Sequence, residues 1–158
     1  MKCMILFDSK HGTTEEVAEM IRKGGGDIVN LSDLSGSGID LSAYDRIAVG
    51  APVYMGQWSK KAADFLAAHS SDLKGKRLSI FVLGSMKDKG EAAVRTALSP
   101  EVLALDPKIA CFGGRVNPEK LGFFERLITK AIAKAPDSPG LDNLDLDAVE
   151  AFAASLHE

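Results

Sequence analysis

The chain has 158 residues, of which 46% are hydrophobic and 26% charged, and its formal net charge is −3. This length and composition are typical of one globular domain, so we expect residues 1–158 to form a single unit. The slightly acidic balance argues against nucleic acid as a partner, and no apolar run approaches the roughly 18 residues that a membrane span requires.

The two cysteines, Cys3 and Cys111, stand inside apolar runs and not in the spacing of a metal site. We interpret both as small buried hydrophobic side chains, and we expect neither a disulfide framework nor a metal centre. The first apolar run ends at Asp8 and is too short to be the core of a signal peptide. A reducing, cytoplasmic setting is the expectation that follows.

Short apolar runs alternate with helix-like segments along the chain. The runs lack the period-two alternation of half-exposed strands, which favours strands buried on both faces of a parallel sheet. In chain order, the predicted strands are residues 2–8, 27–31, 46–51, 76–84 and 108–113. The predicted helices are residues 14–23, 59–69, 91–98 with a further turn to 105, 123–134, and 145–157 with Asp145 as a plausible N-cap.

Five such strands alternating with helices indicate an α/β, three-layer sandwich with a five-stranded parallel sheet. Right-handed crossovers and helices on both faces fit the strand order 2-1-3-4-5. Ligands bind sheets of this kind beyond the carboxyl ends of the strands, where the strand order reverses. That place lies between the first and third strands, so the candidate loops are residues 9–14, 52–58 and 84–89.

The loop after the first strand has the composition of a phosphate-binding turn, with Gly12 and the hydroxyls of Ser9, Thr13 and Thr14. A phosphate here would meet the N–H groups at the start of the helix and the positive end of its dipole. Gly12 permits close approach of the backbone. These residues therefore indicate a place where a phosphate group binds.

Two further readings of the same loop stay open. Lys10 and His11 are candidates for neutralising phosphate charge, but His11 is equally well explained as a solvated loop residue. The motif at residues 13–16 is also a capping box, which needs no ligand and excludes none.

Several other ligands of parallel sheets are excluded by the loops. The first strand is followed by no G-x-G-x-x-G, and the chain contains no G-x-x-x-x-G-K-[ST], so neither a Rossmann site nor a P-loop is expected. A phospho-receiver domain needs acidic residues at the ends of the first and third strands. Here the third strand ends in Gly50-Ala51-Pro52, and Asp8 alone cannot hold magnesium.

The loop after the third strand has the features of a platform for a flat ring. Pro52 stiffens it, and Gly56 can adopt a positive φ. Tyr54 stands in an exposed turn, where a stacked ring would explain it, although a half-buried surface tyrosine is the simpler alternative. Trp58 either caps the following helix or shields such a ring.

At this point the chain resembles a known superfamily. Residues 9–14 are similar to the phosphate loop of flavodoxins, with His11 where flavodoxins usually carry Thr. Residues 50–56 resemble the flavin-ring loop shared by flavodoxins and flavodoxin-like quinone reductases. Residues 112–114, 124–130 and 147–156 resemble the flavodoxin-like protoporphyrinogen dehydrogenases, which use FMN and pass electrons to menaquinone.

The resemblance implies a flavodoxin-like fold and an FMN site. By that resemblance the phosphate is held by Ser9, Lys10, Gly12, Thr13 and Thr14. The ring is lined by the second loop, with backbone groups near its redox nitrogen: Pro52, Val53, Tyr54, Met55, Gly56 and Gln57. Its other side is bordered by the third loop: Gly84, Ser85, Met86 and Lys87.

The third loop departs from the loop of electron-carrier flavodoxins, which usually offers a second aromatic side chain. We expect one face of the ring to be less covered as a result, so that a substrate or quinone can stack on it. No residue stands out as a general acid or base, which is usual where a cofactor carries the chemistry.

The leading hypothesis is an FMN-dependent oxidoreductase resembling protoporphyrinogen dehydrogenase, acting on a small molecule or a quinone. The alternatives are a flavodoxin-type electron-transfer protein with a redox partner protein, an NAD(P)H:quinone reductase, and a flavin-free interaction domain. The amphipathic helix from Leu121 to Ala135 is expected to pack on the sheet. A sharper hypothesis has Leu121 and Phe123 contact a quinone tail or the inner face of a membrane. The oligomeric state stays open.

Overall fold

The computed structural model describes residues 2–9, 12–34, 39–84, 89–113 and 144–157. Among these, the strands are β1 Cys3–Phe7, β2 Asp27–Asn30, β3 Arg46–Tyr54, β4 Gln57–Trp58, β5 Arg77–Leu83 and β6 Lys108–Cys111. The helices are α1 Thr13–Arg22, α2 Lys60–Ala68, α3 Gly90–Ala97, α4 Pro100–Leu103 and α5 Leu146–Ser155, with a 3₁₀ turn at Leu31–Asp33. The predicted helix at 123–134 lies outside the described residues.

The sheet has the predicted topology. The parallel strands lie in the order β2-β1-β3-β5-β6, which is the order 2-1-3-4-5 once the short β4 is left out of the count. Phe7 of β1 is in register with Gly50 of β3, and Gly50 is in register with Phe81 of β5. The strand order therefore reverses between β1 and β3, where the candidate loops were predicted to meet.

Two apolar cores cover the two faces of the sheet and give it three layers. One core joins the strands to α2, α3 and α4 through Leu66, Val94 and Val102. The other joins them to α1 and α5 through Ile21 and Phe152. Both faces of the central strands are thus buried, which explains why their sequences show no alternation of polar and apolar residues.

Three phenylalanines anchor α5 on the second face. The rings of Phe81, Phe112 and Phe152 have centroids 5.5 to 6.0 Å apart. Asp145 caps α5 as predicted, since its Oδ1 accepts a hydrogen bond from the amide of Ala148 at 3.0 Å. This packing attaches the last described segment to the middle of the sheet.

Three local predictions need correction. The strand predicted to stop at residue 51 continues to Tyr54 and returns as β4. Cys3 is buried, but Cys111 is only partly buried, and neither forms a disulfide within the described residues. The two histidines at predicted helix ends, His69 and His157, are expected to lie at the surface. His157 is exposed, whereas His69 is partly buried: it stacks on Phe65 at 4.4 Å, and its Nδ1 lies 3.1 Å from Asp72 Oδ2. The apolar stripe of α2 reaches the end of that helix, so His69, which follows the helix, is partly covered by it.

Candidate functional site

The carboxyl ends of β1, β3 and β5 bring the three candidate loops together. The amide of Asp8, just after β1, donates to the carbonyl of Gly50 in β3 at 2.9 Å. Gly84, just after β5, lies against Val53, with the position of a Cβ on Gly84 only 3.5 Å from Val53 Cβ. The first and third loops therefore flank the end of β3, as the strand order predicts.

The turn before α1 is closed by a serine and a glycine. Gly12 is the N-cap residue of α1 in the left-handed conformation, with φ at 89°. Its amide donates to Ser9 Oγ at 2.9 Å. Thr13 begins the helix, and Thr14 is only 2% exposed. Lys10 and His11 lie outside the described residues.

The capping box predicted at residues 13–16 does not form. Gly12 takes the N-cap position, so Thr13 is the first helical residue, and α1 has no side-chain cap. By contrast, Ser59, Ser99 and Asp145 cap α2, α4 and α5 through their side chains; α3, like α1, begins without one. The exposed Glu15 and Glu16 partly offset the dipole of α1.

A carboxylate stands next to this turn and is held in a network that sequence reasoning missed. Asp8 Oδ2 accepts a hydrogen bond from Ser59 Oγ at 2.6 Å, and Lys61 Nζ lies 3.8 Å from Asp8 Oδ1. Ser59 Oγ also accepts from the amide of Ala62 and so caps α2. The network ties the end of β1 to the start of α2, and the Lys61 ammonium partly compensates the charge of Asp8.

The second loop is a tight hairpin and not an open loop. Tyr54 and Gln57 pair across a turn in which Met55 has φ at 53° and Gly56 at 78°. Two successive positive φ values are the signature of a type I′ turn, whose twist matches that of the strands it joins. Tyr54 is 38% exposed and Met55 is 67% exposed, so both are accessible at the rim of the site.

Trp58 neither caps α2 nor stands in the open to shield a ring. Its side chain is 3% exposed within the core, and Nε1 donates to the carbonyl of Ala51 at 3.1 Å. The strand can continue through Pro52 because β1 ends opposite Gly50, which leaves one side of β3 without a parallel neighbour. The buried indole therefore fastens the hairpin to the sheet.

The third loop is described only at its start. The amide of Gly84 donates to the carbonyl of Gly113 at 2.8 Å, which joins the ends of β5 and β6. Ser85, Met86 and Lys87 lie outside the described residues. The structure thus brings together Ser9, Gly12, Thr13, Thr14, Gly84 and the hairpin residues 52–57 at one edge of the sheet.

Comparison with known proteins supplies the decisive observation, because residues 4–140 match the family model described as a flavodoxin domain. The chain belongs to the flavodoxin domain family. It is similar to flavodoxin 1 of Shigella flexneri, with 31% identity over 112 residues, or 65% of this chain and 64% of the relative. This flavodoxin domain therefore spans somewhat less than two thirds of the length of that relative.

Solved structures agree on the fold. Oxidised flavodoxin 1 from Bacillus cereus superposes with a TM-score of 0.57 at 22% identity, covering 99% of this chain and 97% of that one. A flavodoxin from Fusobacterium nucleatum, bound to flavin mononucleotide, gives a TM-score of 0.58 at 13% identity, covering 99% and 98%. The comparisons support the flavodoxin resemblance, but they do not specifically support the one to protoporphyrinogen dehydrogenases.

Within the residues that the structure describes, no three His, Cys, Asp or Glu side chains are grouped so as to hold a metal ion. No helix in that same part of the chain is long and apolar enough to cross a membrane. The predicted helix from Leu121 to Ala135, for which membrane contact is a hypothesis, lies outside the described residues.

Proposed function

We propose that this flavodoxin domain binds FMN and carries electrons to and from redox partner proteins. The phosphate is held at the turn formed by Ser9, Lys10, His11, Gly12, Thr13 and Thr14. The flavin ring lies against the hairpin, lined by Pro52, Val53, Tyr54, Met55, Gly56 and Gln57. The third loop, with Gly84, Ser85, Met86 and Lys87, borders the ring on its other side.

The observation that carries this proposal is the start of α1. A helix of ten residues begins at the reversal of strand order behind a left-handed glycine, and no side chain caps it. Amide N–H groups in this position and the dipole of the helix favour an anion. The Ser9–Gly12 hydrogen bond holds the turn in that form. A phosphate group fits this donor set.

The exposed hairpin fits the other part of FMN, which is the flavin ring. Tyr54 offers an accessible aromatic face, and the turn at Met55 and Gly56 places peptide groups at the rim. Bound FMN would supply the redox chemistry by accepting and releasing electrons. The residues of the chain would position the ring and set its surroundings.

Electron transfer is favoured over an enzymatic role by the family and by the relative from Shigella flexneri, which is named a flavodoxin. A dehydrogenase of the protoporphyrinogen type and an NAD(P)H:quinone reductase are the finer alternatives. They predict turnover of a porphyrinogen or a quinone by the purified protein. A carrier predicts two separate one-electron potentials and no such turnover.

The test is a titration of FMN into the flavin-free protein, followed by the quenching of flavin fluorescence. We expect saturation at one FMN per chain. Replacing Ser9 by Ala removes the acceptor for the amide of Gly12, at a cost of about 1.4 kcal/mol, or roughly tenfold in affinity. Ser71, an exposed serine outside the site, provides the matched control, and Ser71→Ala should bind as the parent does.

Two results would contradict the proposal. An absence of quenching at micromolar FMN would contradict the proposal that FMN is the cofactor. Equal affinities of Ser9→Ala and the parent for FMN would contradict the proposal that this turn holds the phosphate. Reductive titration with a dye of known potential then separates the carrier from the enzymes. A single two-electron step, together with porphyrinogen or quinone turnover, would favour the enzymatic alternatives.

A further inference from the structure

Asp8 lies where the two parts of the proposed FMN site meet, the phosphate turn at residues 9–14 and the hairpin at residues 52–58. It directly follows β1, and the next residue, Ser9, accepts a hydrogen bond from the amide of Gly12 and so closes the phosphate turn. The amide of Asp8 donates to the carbonyl of Gly50 at 2.9 Å, and β3 continues from Gly50 into the hairpin. The backbone of Asp8 is therefore attached to both parts of the site.

The side chain of Asp8 adds an attachment to α2. Side chains alternate between the faces of a strand, and Met4 and Leu6 of β1 belong to the core that α2 covers, so Asp8 points to the same side. There Asp8 Oδ2 accepts a hydrogen bond from Ser59 Oγ at 2.6 Å. Ser59 directly follows Trp58 of the hairpin, whose indole is buried and bonded to β3. The carboxylate therefore connects the phosphate turn to the place where the hairpin enters α2.

Lys61 adds a positive charge to this connection. Its Nζ lies 3.8 Å from Asp8 Oδ1 and donates to Ser32 Oγ at 2.8 Å, in the 3₁₀ turn that follows β2. The side chain of Asp8 is mostly covered and that of Lys61 is half-exposed, so water weakens the attraction between them without abolishing it. The neighbouring Lys60 is directed elsewhere, since its Nζ lies 3.1 Å from Asp64 Oδ2, one turn further along α2.

A carboxylate beside a phosphate site creates a conflict of charge. Asp8 is next to Ser9 in the chain, so its charge acts on a phosphate at the turn over a distance comparable to the Debye length, roughly 8 Å at physiological ionic strength. The carboxylate repels the phosphate, and the ammonium group of Lys61 attracts it. The connection is therefore compatible with an anionic ligand when both charges are present, because their effects on the phosphate have opposite signs.

We propose that Asp8 is a positioning residue for FMN and that Lys61 is its counter-ion. Through Ser59, Asp8 holds the phosphate turn and the hairpin at the separation that one FMN molecule bridges. Lys61 offsets the repulsion between Asp8 and the phosphate. This inference rests on the proposed function, because it concerns how the same site distinguishes FMN from riboflavin, which has the flavin ring but no phosphate.

The test measures the affinities of the whole flavin-free chain for FMN and for riboflavin by fluorescence quenching, and the ratio of the two isolates the phosphate. At low ionic strength, Lys61→Gln should lower this ratio about threefold to fivefold, and Asp8→Asn should raise it by a similar factor. The combined variant should return to within about twofold of the parent, and added salt should shrink both single effects. Lys60→Gln removes the same formal charge from the same turn of α2 and should leave the ratio and the FMN affinity within about twofold of the parent.

Asp8→Ala tests the positioning role separately from the charge. Alanine and asparagine both remove the charge, but asparagine keeps a side-chain oxygen that can accept from Ser59 Oγ. The ratio should therefore be about fivefold lower for Asp8→Ala than for Asp8→Asn, since riboflavin contacts the hairpin without bridging to the turn. A merely structural role would weaken both flavins equally.

Two results would overturn the inference. One is equal FMN affinities and equal ratios for Lys61→Gln and Lys60→Gln, and this arm holds even if Asp8→Ala does not fold. The other is equal ratios for folded Asp8→Ala and Asp8→Asn, with folding checked by urea unfolding. A parent chain that binds no FMN would instead overturn the proposed function, and this inference with it.

Discussion

The two ends of the central strands are built from different parts of the chain. At the carboxyl ends the proposed site consists of turns, in which Gly12 and Gly56 take left-handed conformations and backbone groups are presented to a ligand. At the amino ends the surface consists of side chains, and Arg46, Arg77 and Lys108 gather there because their strands are in register. The comparison indicates that backbone conformation shapes the carboxyl ends, whereas strand register gathers charged side chains at the amino ends.

The largest effect is expected from a substitution at Gly50, in the middle of β3, where the backbone lies close to a side chain of β5. A Cβ at this position would lie 1.9 Å from Phe81 Cε2 and 2.0 Å from Cζ, and Phe81 is fully buried. We expect Gly50→Ala to lower the free energy of unfolding by about 3 kcal/mol, the upper end of the usual cost of overpacking. Urea unfolding measures this change from the midpoint and slope.

A double-mutant cycle shows whether the clash is the cause. Leucine at position 81 lacks the outer ring atoms, so Gly50→Ala should cost much less in a Phe81→Leu background than in the parent. If the two costs are equal, the ring is not responsible, and the sheet does not depend on this close approach between β3 and β5.

The amino ends can be tested by pH, through Cys3. Burial raises the pKa of this thiol from its ordinary 9.0 to about 11, while the positive charge of Arg46, in register with Cys3, opposes the rise. The folded thiol therefore stays protonated at a pH where the unfolded thiol has lost its proton. Folding stability contributed by this thiol is complete below pH 9 and is lost as the pH rises towards 11.

We expect the free energy of unfolding to fall by on the order of 2 kcal/mol across this window, because each pH unit contributes at most about 1.4 kcal/mol. Other groups also titrate here, so the measurement is the difference in pH dependence between the parent and Cys3→Ala. That variant should be less stable overall but should lack this part of the alkaline decline. Parallel curves for the two proteins would show that burial does not hold the Cys3 thiol protonated in the folded state.

The contrast between the two ends also explains what the sequence could predict. Five apolar runs sufficed for the sheet order and for the reversal between β1 and β3, since buried parallel strands have a local signature. Pro52 was misleading, because it indicated the end of β3. The hydrogen-bonded pairing of β3 with β1 already ends at Gly50, so the missing N–H of Pro52 loses no hydrogen bond on that side of the strand. The glycine and hydroxyls of the first turn were visible because they are contiguous in the chain.

Contacts between distant residues had no such signature. The bond between Asp8 and Ser59, and the burial of Trp58 against Ala51, depend on how β3 turns back into α2. The gathering of Arg46, Arg77 and Lys108 at the amino ends was invisible for the same reason, because these residues stand on three separate strands and only the register brings them together. The capping box at residues 13–16 was wrong because a left-handed Gly12 replaced it as the start of α1.

The mildest test returns to the carboxyl ends and isolates backbone shape from contacts. A Cβ on Gly56 would meet no atom within 4 Å, yet the residue has φ at 78°. Alanine should therefore lower the free energy of unfolding by about 1 kcal/mol through conformation alone. Asparagine, which is larger but adopts positive φ more readily, should cost less than alanine.

This reversed order, with the larger side chain tolerated better, has no explanation in packing and is specific to the type I′ turn. Urea unfolding of Gly56→Ala and Gly56→Asn measures it, and FMN titration should give the same order of affinities if the ring lies against the hairpin. Equal costs for the two variants would mean that the turn relaxes to another conformation. The carboxyl ends would then depend on backbone shape less than the left-handed turns at Gly12 and Gly56 indicate.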